Sequence, residues 1–240
     1  MTSSGPANGG DARTAEIAAN LAALRSRIAA ACATAGRDPG AVTLVAVTKT
    51  FPAGDVRRLL ALGVPDVGEN RDQEARAKAA AVPDARWHFV GRLQRNKCRS
   101  VASYAAMVHS LDRAELVAAL DAAALRAGRA PLDVLVQVSL DGDPSRGGAL
   151  VAEVPRLAAA AAGAAGLRFA GLMAVAPLGA DPLPAFTRLA DLAADLRRDH
   201  PNATILSAGM SADLEAALRC GATHVRIGTA LLGGRTLAVG

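Results

Sequence analysis

The sequence is poor in aromatic side chains, in cysteine and in long hydrophobic runs. Aromatic residues make up 2% of the 240 residues, so alanine, valine and leucine must form the core. No uncharged apolar run reaches the roughly 20 residues that a membrane helix needs, which excludes a membrane-spanning protein. The three cysteines, Cys32, Cys98 and Cys220, have neither CxxC nor zinc-site spacing, so we expect free thiols in a reducing cytoplasm.

The N-terminal segment lacks the apolar and basic stretches of a secretory signal. Its glycine, serine and asparagine content predicts a disordered tail over residues 1–13, followed by one domain over residues 14–240. With 51% hydrophobic and 20% charged residues, the chain can bury a sizeable core.

Positive charge is in slight excess: 27 Lys and Arg against 22 Asp and Glu give a net charge of +5. The densest basic cluster consists of Arg92, Arg95, Lys97 and Arg99. No aromatic side chains alternate with these cations, as they would on a surface that stacks bases. The cluster therefore disfavours a nucleic-acid partner and fits either an anionic small molecule or a solvated surface.

Eight short apolar runs alternate with helical patterns along the chain. They are mostly continuous, which is typical of parallel strands covered on both faces. Before the first run, Ile17, Leu21, Leu24 and Ile28 recur at helical spacing and predict an extra N-terminal helix. The repeats predict an α/β single-domain (β/α)8 TIM barrel, with a doubly wound open sheet as the alternative. The predicted strands are 43–48, 66–68, 87–90, 107–110, 134–138, 169–175, 204–207 and 225–227.

Lys49 directly follows the first predicted strand, at the end of the barrel where such folds carry their active sites. A lysine enclosed by apolar neighbours loses its proton more easily, and the neutral amine can form a Schiff base with an aldehyde. The alternative is a lysine whose side chain simply extends into solvent from the strand end.

Two strand–helix junctions near the C-terminus, residues 207–211 (SAGMS) and 226–229 (RIGT), combine hydroxyls, glycine and backbone N–H groups. Ser211 is also a suitable N-cap for a helix over 212–220. Such junctions late in a barrel bind phosphate, although caps and turns alone would also explain them. In a closed barrel the last strand pairs with the first, so Lys49 would meet both junctions. An aldehyde joined through a ring to a phosphate would span them, and pyridoxal 5′-phosphate (PLP) has that shape.

Several longer stretches make the sequence recognisable. They are LVAVTKT (44–50), VGEN (67–70), QE (73–74), WHFVGRLQRNK (87–97), FAGLMAV (169–175), GMSADLEAALRCGATHVRIGT (209–229) and LLGGR (231–235). With these stretches the sequence resembles the pyridoxal phosphate homeostasis (YggS/PROSC) family over residues 17–235. The resemblance implies a barrel like the N-terminal barrel of alanine racemases, PLP held as a lysine aldimine, and a role in intracellular PLP homeostasis and amino-acid balance.

The resemblance also implies which residues hold PLP. Lys49 would form the aldimine, and Arg226 would face the pyridine nitrogen and leave it unprotonated, which weakens the ring as an electron sink. Met173 would pack on the ring, although a plain core position explains it equally well. The other implied contacts are Asn70 at the ring, Ser211, Gly228 and Thr229 at the phosphate, and Ser207 and Met210 close to it.

Three positions depart from the usual pattern of the family. Arg71 stands where a tyrosine usually follows GEN, Arg92 where a histidine is common, and Ala208 where a methionine is common. None of them is the lysine or a phosphate hydroxyl, so they bear on the roles of the replaced side chains and not on PLP binding itself.

The remaining titratable residues form no recognisable site in the sequence. The four histidines show no metal-ligand spacing, so we predict no metal site and core positions for His88 and His109. Glu69 and Glu74 flank one predicted turn, which is typical of a solvated surface or a helix cap.

Catalysis is disfavoured by the lack of a second proton donor. Racemisation needs donors on both faces of the substrate–PLP adduct. The resemblance implies that racemases take the second from a tyrosine of another domain, and the one tyrosine here, Tyr104, precedes a predicted strand. We therefore expect a PLP carrier or regulator, a monomer or weak dimer, with PLP-dependent apoenzymes as candidate partners. A small PLP-dependent racemase or lyase, or a nucleic-acid-binding module, are the alternatives.

Overall fold

Eight parallel strands close into a barrel in the computed structural model, which describes residues 8–128, 131–143 and 146–234. The strand order is β4-β3-β2-β1-β9-β8-β7-β5, and pairing of β4 with β5 closes the ring. The short β6 lies outside the ring and pairs with β5. The strands are β1 (Thr43–Val47), β2 (Asp66–Glu69), β3 (Arg86–Phe89), β4 (Met107–Leu111), β5 (Leu132–Ser139), β6 (Ala149–Leu150), β7 (Leu167–Ala174), β8 (Ile205–Ser207) and β9 (His224–Ile227).

Helices follow the strands and cover the outside of the barrel. None of the helices in the described ranges combines the length and the apolar character needed to cross a membrane. They are α1 (Asn8–Thr34), α2 (Ala53–Ala61), α3 (Asp72–Ala81), α4 (Cys98–Tyr104), α5 (Ala114–Arg126), α6 (Val154–Ala162), α7 (Pro182–Asp199), α8 (Leu214–Arg219) and α9 (Thr229–Leu232).

The barrel prediction is confirmed, and the open-sheet alternative is wrong because β1 pairs with β9 and β4 with β5. Each predicted strand differs from the observed one by at most two residues at either end. The extra N-terminal helix is present as α1, which buries Ile17, Leu21, Leu24 and Ile28 against the barrel. Part of the segment predicted as a tail is helical, since α1 begins at Asn8. Residues 1–7 of that tail, and Arg235 of the LLGGR stretch, lie outside the described residues.

The interior of the barrel holds both polar and apolar side chains. His109 on β4 contacts Ser207 on β8, and because these strands are not neighbours in the ring, the contact must cross the interior. A small apolar cluster consists of Met107, Leu135, Ala170 and Met173. Ser207 ends β8, so the polar contact lies close to the carboxyl-terminal end of the barrel.

Candidate functional site at the carboxyl-terminal end of the barrel

Lys49 lies at the carboxyl-terminal mouth of the barrel, two residues beyond the end of β1. Thr48 is fully buried, whereas Lys49 and Thr50 are exposed. Thr50 has a φ of 69°, a left-handed conformation that turns the chain sharply after the lysine. The sequence predicts apolar neighbours around Lys49. This prediction is wrong, because the last buried residue of the segment is Thr48.

A buried lysine on α3 holds this turn in place. Lys78 Nζ donates to Thr48 O at 2.7 Å, to Glu69 Oε1 at 2.7 Å and to Glu74 Oε1 at 2.6 Å. Thr48 Oγ1 donates to Glu69 Oε1, and Thr50 N donates to Glu74 Oε1. We call these five residues the Lys78 network. It fixes the backbone on both sides of Lys49.

Glu69 is fully buried within the Lys78 network, so its predicted place on a solvated surface is wrong. Its Oε2 atom is buried with no hydrogen-bond partner among the described residues. Burial raises the pKa of Glu69, and the hydrogen bonds from Lys78 and Thr48 only partly offset this.

Lysine is scarce in this chain, which singles out Lys49 chemically. The sequence contains three lysines, Lys49, Lys78 and Lys97. Lys78 is bound by two carboxylates, and Lys97 lies 3.8 Å from Asp72. Within the described residues, Lys49 is therefore the exposed lysine of the mouth that has no carboxylate partner.

The two C-terminal junctions lie against each other and next to β1. Gly228 packs on Val47, where a Cβ at position 228 would lie 3.3 Å from Val47 O. Ser211 Oγ accepts a hydrogen bond from Ala230 N at 3.4 Å. Ser211 is not the predicted N-cap, because α8 begins only at Leu214. Its hydroxyl instead faces the start of α9, which brings the two hydroxyl-bearing loops together.

Arg226 and Ser207 lie below the mouth, inside the barrel. The Arg226 guanidinium donates to Ser207 Oγ at 2.7 Å and to Ala174 O at 2.9 Å. Burial lowers the pKa of Arg226 to about 10. Ser207 is fully buried, and its hydroxyl is engaged by Arg226 and His109, so it supports Arg226 from the interior.

The remaining predicted contacts are dispersed. Met173 lies on β7 in the apolar interior cluster and is 2% exposed, as the core interpretation predicts. Met210 is exposed, and its N–H donates to Asp213 Oδ1. Asn70 is half-buried at the end of β2, where it lines a cleft of about 560 Å³. This cleft does not include Lys49 or the two junctions.

The basic cluster divides between two surfaces. Arg92 and Lys97 line the same cleft as Asn70, whereas Arg95 and Arg99 line a separate groove against α5. Of the three departures from the family pattern, Arg71 and Arg92 line the cleft. The third, Ala208, is fully buried, and its N–H donates to His224 O.

Sequence reasoning missed the polar side chains that support the site from within. The Lys49 turn is held by Lys78, Glu69 and Thr48. Inside the barrel, Ser207 is hydrogen-bonded to His109, which is hydrogen-bonded to His88. The available signal was the position of charged and imidazole groups inside otherwise apolar strands, where a buried polar group needs a partner.

Comparison with known proteins identifies the family. The sequence profile of the alanine racemase N-terminal domain matches residues 19–236. A protein of Mycobacterium leprae named pyridoxal phosphate homeostasis protein is 47% identical over 240 aligned residues, which cover 92% of this chain and 93% of that protein. The chain belongs to the pyridoxal phosphate homeostasis protein family.

Solved structures place this member of the pyridoxal phosphate homeostasis family among related barrels. PipY of Synechococcus elongatus, solved with PLP bound, is 38% identical with a TM-score of 0.75 and covers 90% of this chain and 100% of that chain. The alanine racemase of Streptomyces coelicolor has a TM-score of 0.75 at 23% identity, covering 92% of this chain and 59% of that chain. This second likeness shows a shared fold.

Proposed function

We propose that the protein binds PLP at the carboxyl-terminal mouth of its barrel and acts in intracellular PLP homeostasis and amino-acid balance as a carrier or regulator. The observation that carries the proposal is the packing of Gly228 on Val47, two residues before Lys49, with Ser211 against the start of α9, in a member of this family. PipY, solved with PLP, supports it, because that chain is 38% identical over nearly the whole length.

The groups at the mouth fit the chemistry of PLP. Condensation of the Lys49 amine with an aldehyde forms a C=N bond and releases one water. The hydroxyls of Ser211 and Thr229, with the N–H groups around Gly228, are suitable donors for a phosphate. When bound, PLP would supply the aldehyde and an electron-withdrawing ring. Arg226, below the mouth, would present a cation to the ring nitrogen.

The described residues favour binding over turnover. Tyr104, the one tyrosine, donates through its hydroxyl to Asp72 Oδ1 at 3.4 Å. Burial raises the pKa of this phenol, so it keeps its proton and is a poor proton donor. The other proposed PLP contacts do not supply a second proton donor either. They would contribute only packing or hydrogen bonds, and they are Asn70, Met173, Met210 and Thr229.

A PLP-dependent racemase or lyase is the second candidate, favoured by the match to the alanine racemase N-terminal domain. The two functions differ in turnover. We expect the PLP-loaded protein to leave L-alanine and L-threonine unchanged in overnight incubations followed by chiral chromatography. Formation of D-alanine, or of glycine and acetaldehyde, would replace the carrier function with this alternative.

Substitution of lysines tests the site itself. We expect the PLP-loaded protein to absorb near 420 nm, a rough value for a PLP Schiff base, and borohydride to fix the label on the peptide that contains Lys49. Lys49→Ala should lose both signals. Lys97→Ala is the matched control, because it removes the other solvent-accessible lysine at this end of the barrel. A label that persists in Lys49→Ala would overturn the assignment.

The same proposal gives the cellular context. All three cysteines are unpaired, with Cys32 and Cys98 buried, which suits a reducing cytoplasm. PLP-dependent apoenzymes are the proposed recipients of the cofactor, and a monomer or weak dimer is the proposed assembly.

A further inference from the structure

A continuous row of hydrogen bonds runs through the interior of the barrel. Asp66 Oδ1 lies 2.9 Å from His88 Nε2, and His88 Nδ1 lies 2.9 Å from His109 Nε2. His109 Nδ1 lies 2.9 Å from Ser207 Oγ, which accepts from Arg226 Nη1 at 2.7 Å. All five residues are buried, none more than 7% exposed. We call these five residues the interior chain.

With both imidazoles neutral, the chemistry of the two ends of the interior chain fixes the direction of every hydrogen bond. Arg226 can only donate, and the ionised carboxylate of Asp66 can only accept. His88 must therefore carry its proton on Nε2 and accept at Nδ1. His109 must then donate from Nε2 and accept the Ser207 hydroxyl proton at Nδ1. All donors point from Arg226 towards Asp66, with both imidazoles neutral.

The surrounding charges agree with this protonation pattern. Burial holds the pKa of His109 well below its ordinary value, and the hydrogen bond from His88 lowers that of Asp66 in spite of burial. Arg86 lies 3.6 Å from Asp66. His224 lies beside the chain, with ring centroids 6.3 Å from His88 and 6.5 Å from His109, and burial lowers its pKa to about 4.

The interior chain also explains how a buried guanidinium is held in place. Arg226 contacts two neutral oxygens, Ser207 Oγ and Ala174 O. Each group of the interior chain directs its hydrogen-bond acceptor towards Arg226. The aligned dipoles therefore extend the negative potential of Asp66 across the barrel. This stabilises the cation and fixes the rotamer of Arg226 from below.

We infer that Asp66, His88 and His109 are positioning residues that hold Arg226 charged and oriented towards the mouth, acting through Ser207. The inference rests on the proposed function for the role of Arg226. The polarity of the interior chain, meaning the common direction of its hydrogen bonds, is a property of the protein without PLP. Asp66 lies at the start of β2, at the opposite end of the barrel from Lys49.

The polarity is tested by ¹⁵N NMR of the histidine rings in the PLP-free protein at neutral pH. We expect neutral Nε2–H tautomers for His88 and His109. Asp66→Asn keeps the size of the side chain, removes its charge and adds an N–H donor beside the amide oxygen, so it should raise the share of the Nδ1–H tautomer in both rings. A protonated ring or an Nδ1–H tautomer in the unmodified protein would overturn the inference.

The positioning role is tested by PLP titration of the same variants. Asp66→Asn should weaken PLP binding roughly tenfold and shift the absorbance band, because loss of one charge-assisted link is of that order. Asp133→Asn is the matched control, since this carboxylate at the start of β5 pairs with Arg168 on the surface. Wild-type affinity and absorbance in Asp66→Asn would contradict the role.

A second variant tests the inference if Asp66→Asn fails to fold. Ser207→Ala interrupts the interior chain next to Arg226, and we expect the His109 Nδ1 resonance to shift to that of an unbonded nitrogen, with PLP binding weakened. Unchanged resonances would overturn the inference. If the unmodified protein takes up no PLP, the proposed function fails, and the tautomers of the PLP-free protein still decide the polarity.

Discussion

The absence of a side chain at position 91 lets two loops at the barrel mouth pack backbone to backbone. A Cβ on Gly91 would lie 2.1 Å from Asn70 O and 2.7 Å from Asn70 Cα. Real carbon–oxygen contacts do not approach this distance, so the chain after β3 can cover Asn70 only if residue 91 is glycine. The glycine therefore fixes one wall of the cleft.

We expect Gly91→Ala to lower the free energy of unfolding by about 1–3 kcal/mol or more, because overpacking forces the backbone to shift. Urea unfolding followed by circular dichroism measures the change. Gly234→Ala is the control, since a Cβ there meets no atom within 4 Å. Equal midpoints for Gly91→Ala and the unmodified protein would contradict the close approach.

Single residues differ in how far the sequence predicts them. Lys49 could be placed at the mouth because a strand end is a local feature. The way in which the Lys49 turn is held and the burial of Glu69 could not be predicted, since both depend on where α3 brings Lys78. Ser207 and His109 are 98 residues apart, and only closure of the barrel brings them together.

At the scale of elements, α3 connects the ends of β1 and β2. Lys78 and Glu74 lie one turn apart on α3, and together they reach Thr48 and Thr50 beyond β1 and Glu69 at the end of β2. A buried ion pair is costly to break, because the remaining charge stays in a poor solvent. The Lys49 turn therefore depends on two side chains of the helix that follows the neighbouring strand.

A double-mutant cycle tests this connection. Lys78→Met should cost about 3–5 kcal/mol of unfolding free energy, because it leaves Glu69 buried without its cation. Adding Glu69→Gln should restore part of that loss. Arg198→Met is the control, since its pair with Asp195 is exposed and should contribute less than about 1 kcal/mol. Additive effects of the two substitutions would show that the pair is not coupled.

Among the elements, helices and strands were predictable because their hydrophobic patterns are local, and α1 is an example. Its buried stripe was visible in the sequence, but its polar contacts were not. Arg13 donates to Leu232 O, Asn20 to Leu231 O, and Arg27 to Ser211 O. These bonds tie α1 to α9 and to the Ser211 loop at the proposed phosphate site, and they join residues about 200 positions apart in sequence.

At the scale of the whole molecule, the polar interior makes folding sensitive to acid. Burial lowers the pKa of His224 to about 4 and that of His109 well below 6.5. Between pH 6.5 and 4 the unfolded chain therefore binds protons at these histidines that the folded barrel does not. Stability falls as the pH falls through this window. The raised pKa of Glu69 acts in the opposite sense, and the lowered pKa of Asp66 acts only below about 3.8.

Removal of one imidazole isolates its share of this pH dependence. For His224 the difference between 6.5 and about 4 corresponds to roughly 3 kcal/mol by pH 4. The slope of unfolding free energy against pH near pH 5.5 should therefore be smaller in His224→Gln than in the unmodified protein, by up to about 1.4 kcal/mol per pH unit. His200→Gln, which removes a histidine that packs on Phe169 at the end of α7, is the control. Because the comparison is between slopes, the opposing contribution of Glu69 cancels, and equal slopes for His224→Gln and the unmodified protein would show that His224 takes up its proton in the folded barrel.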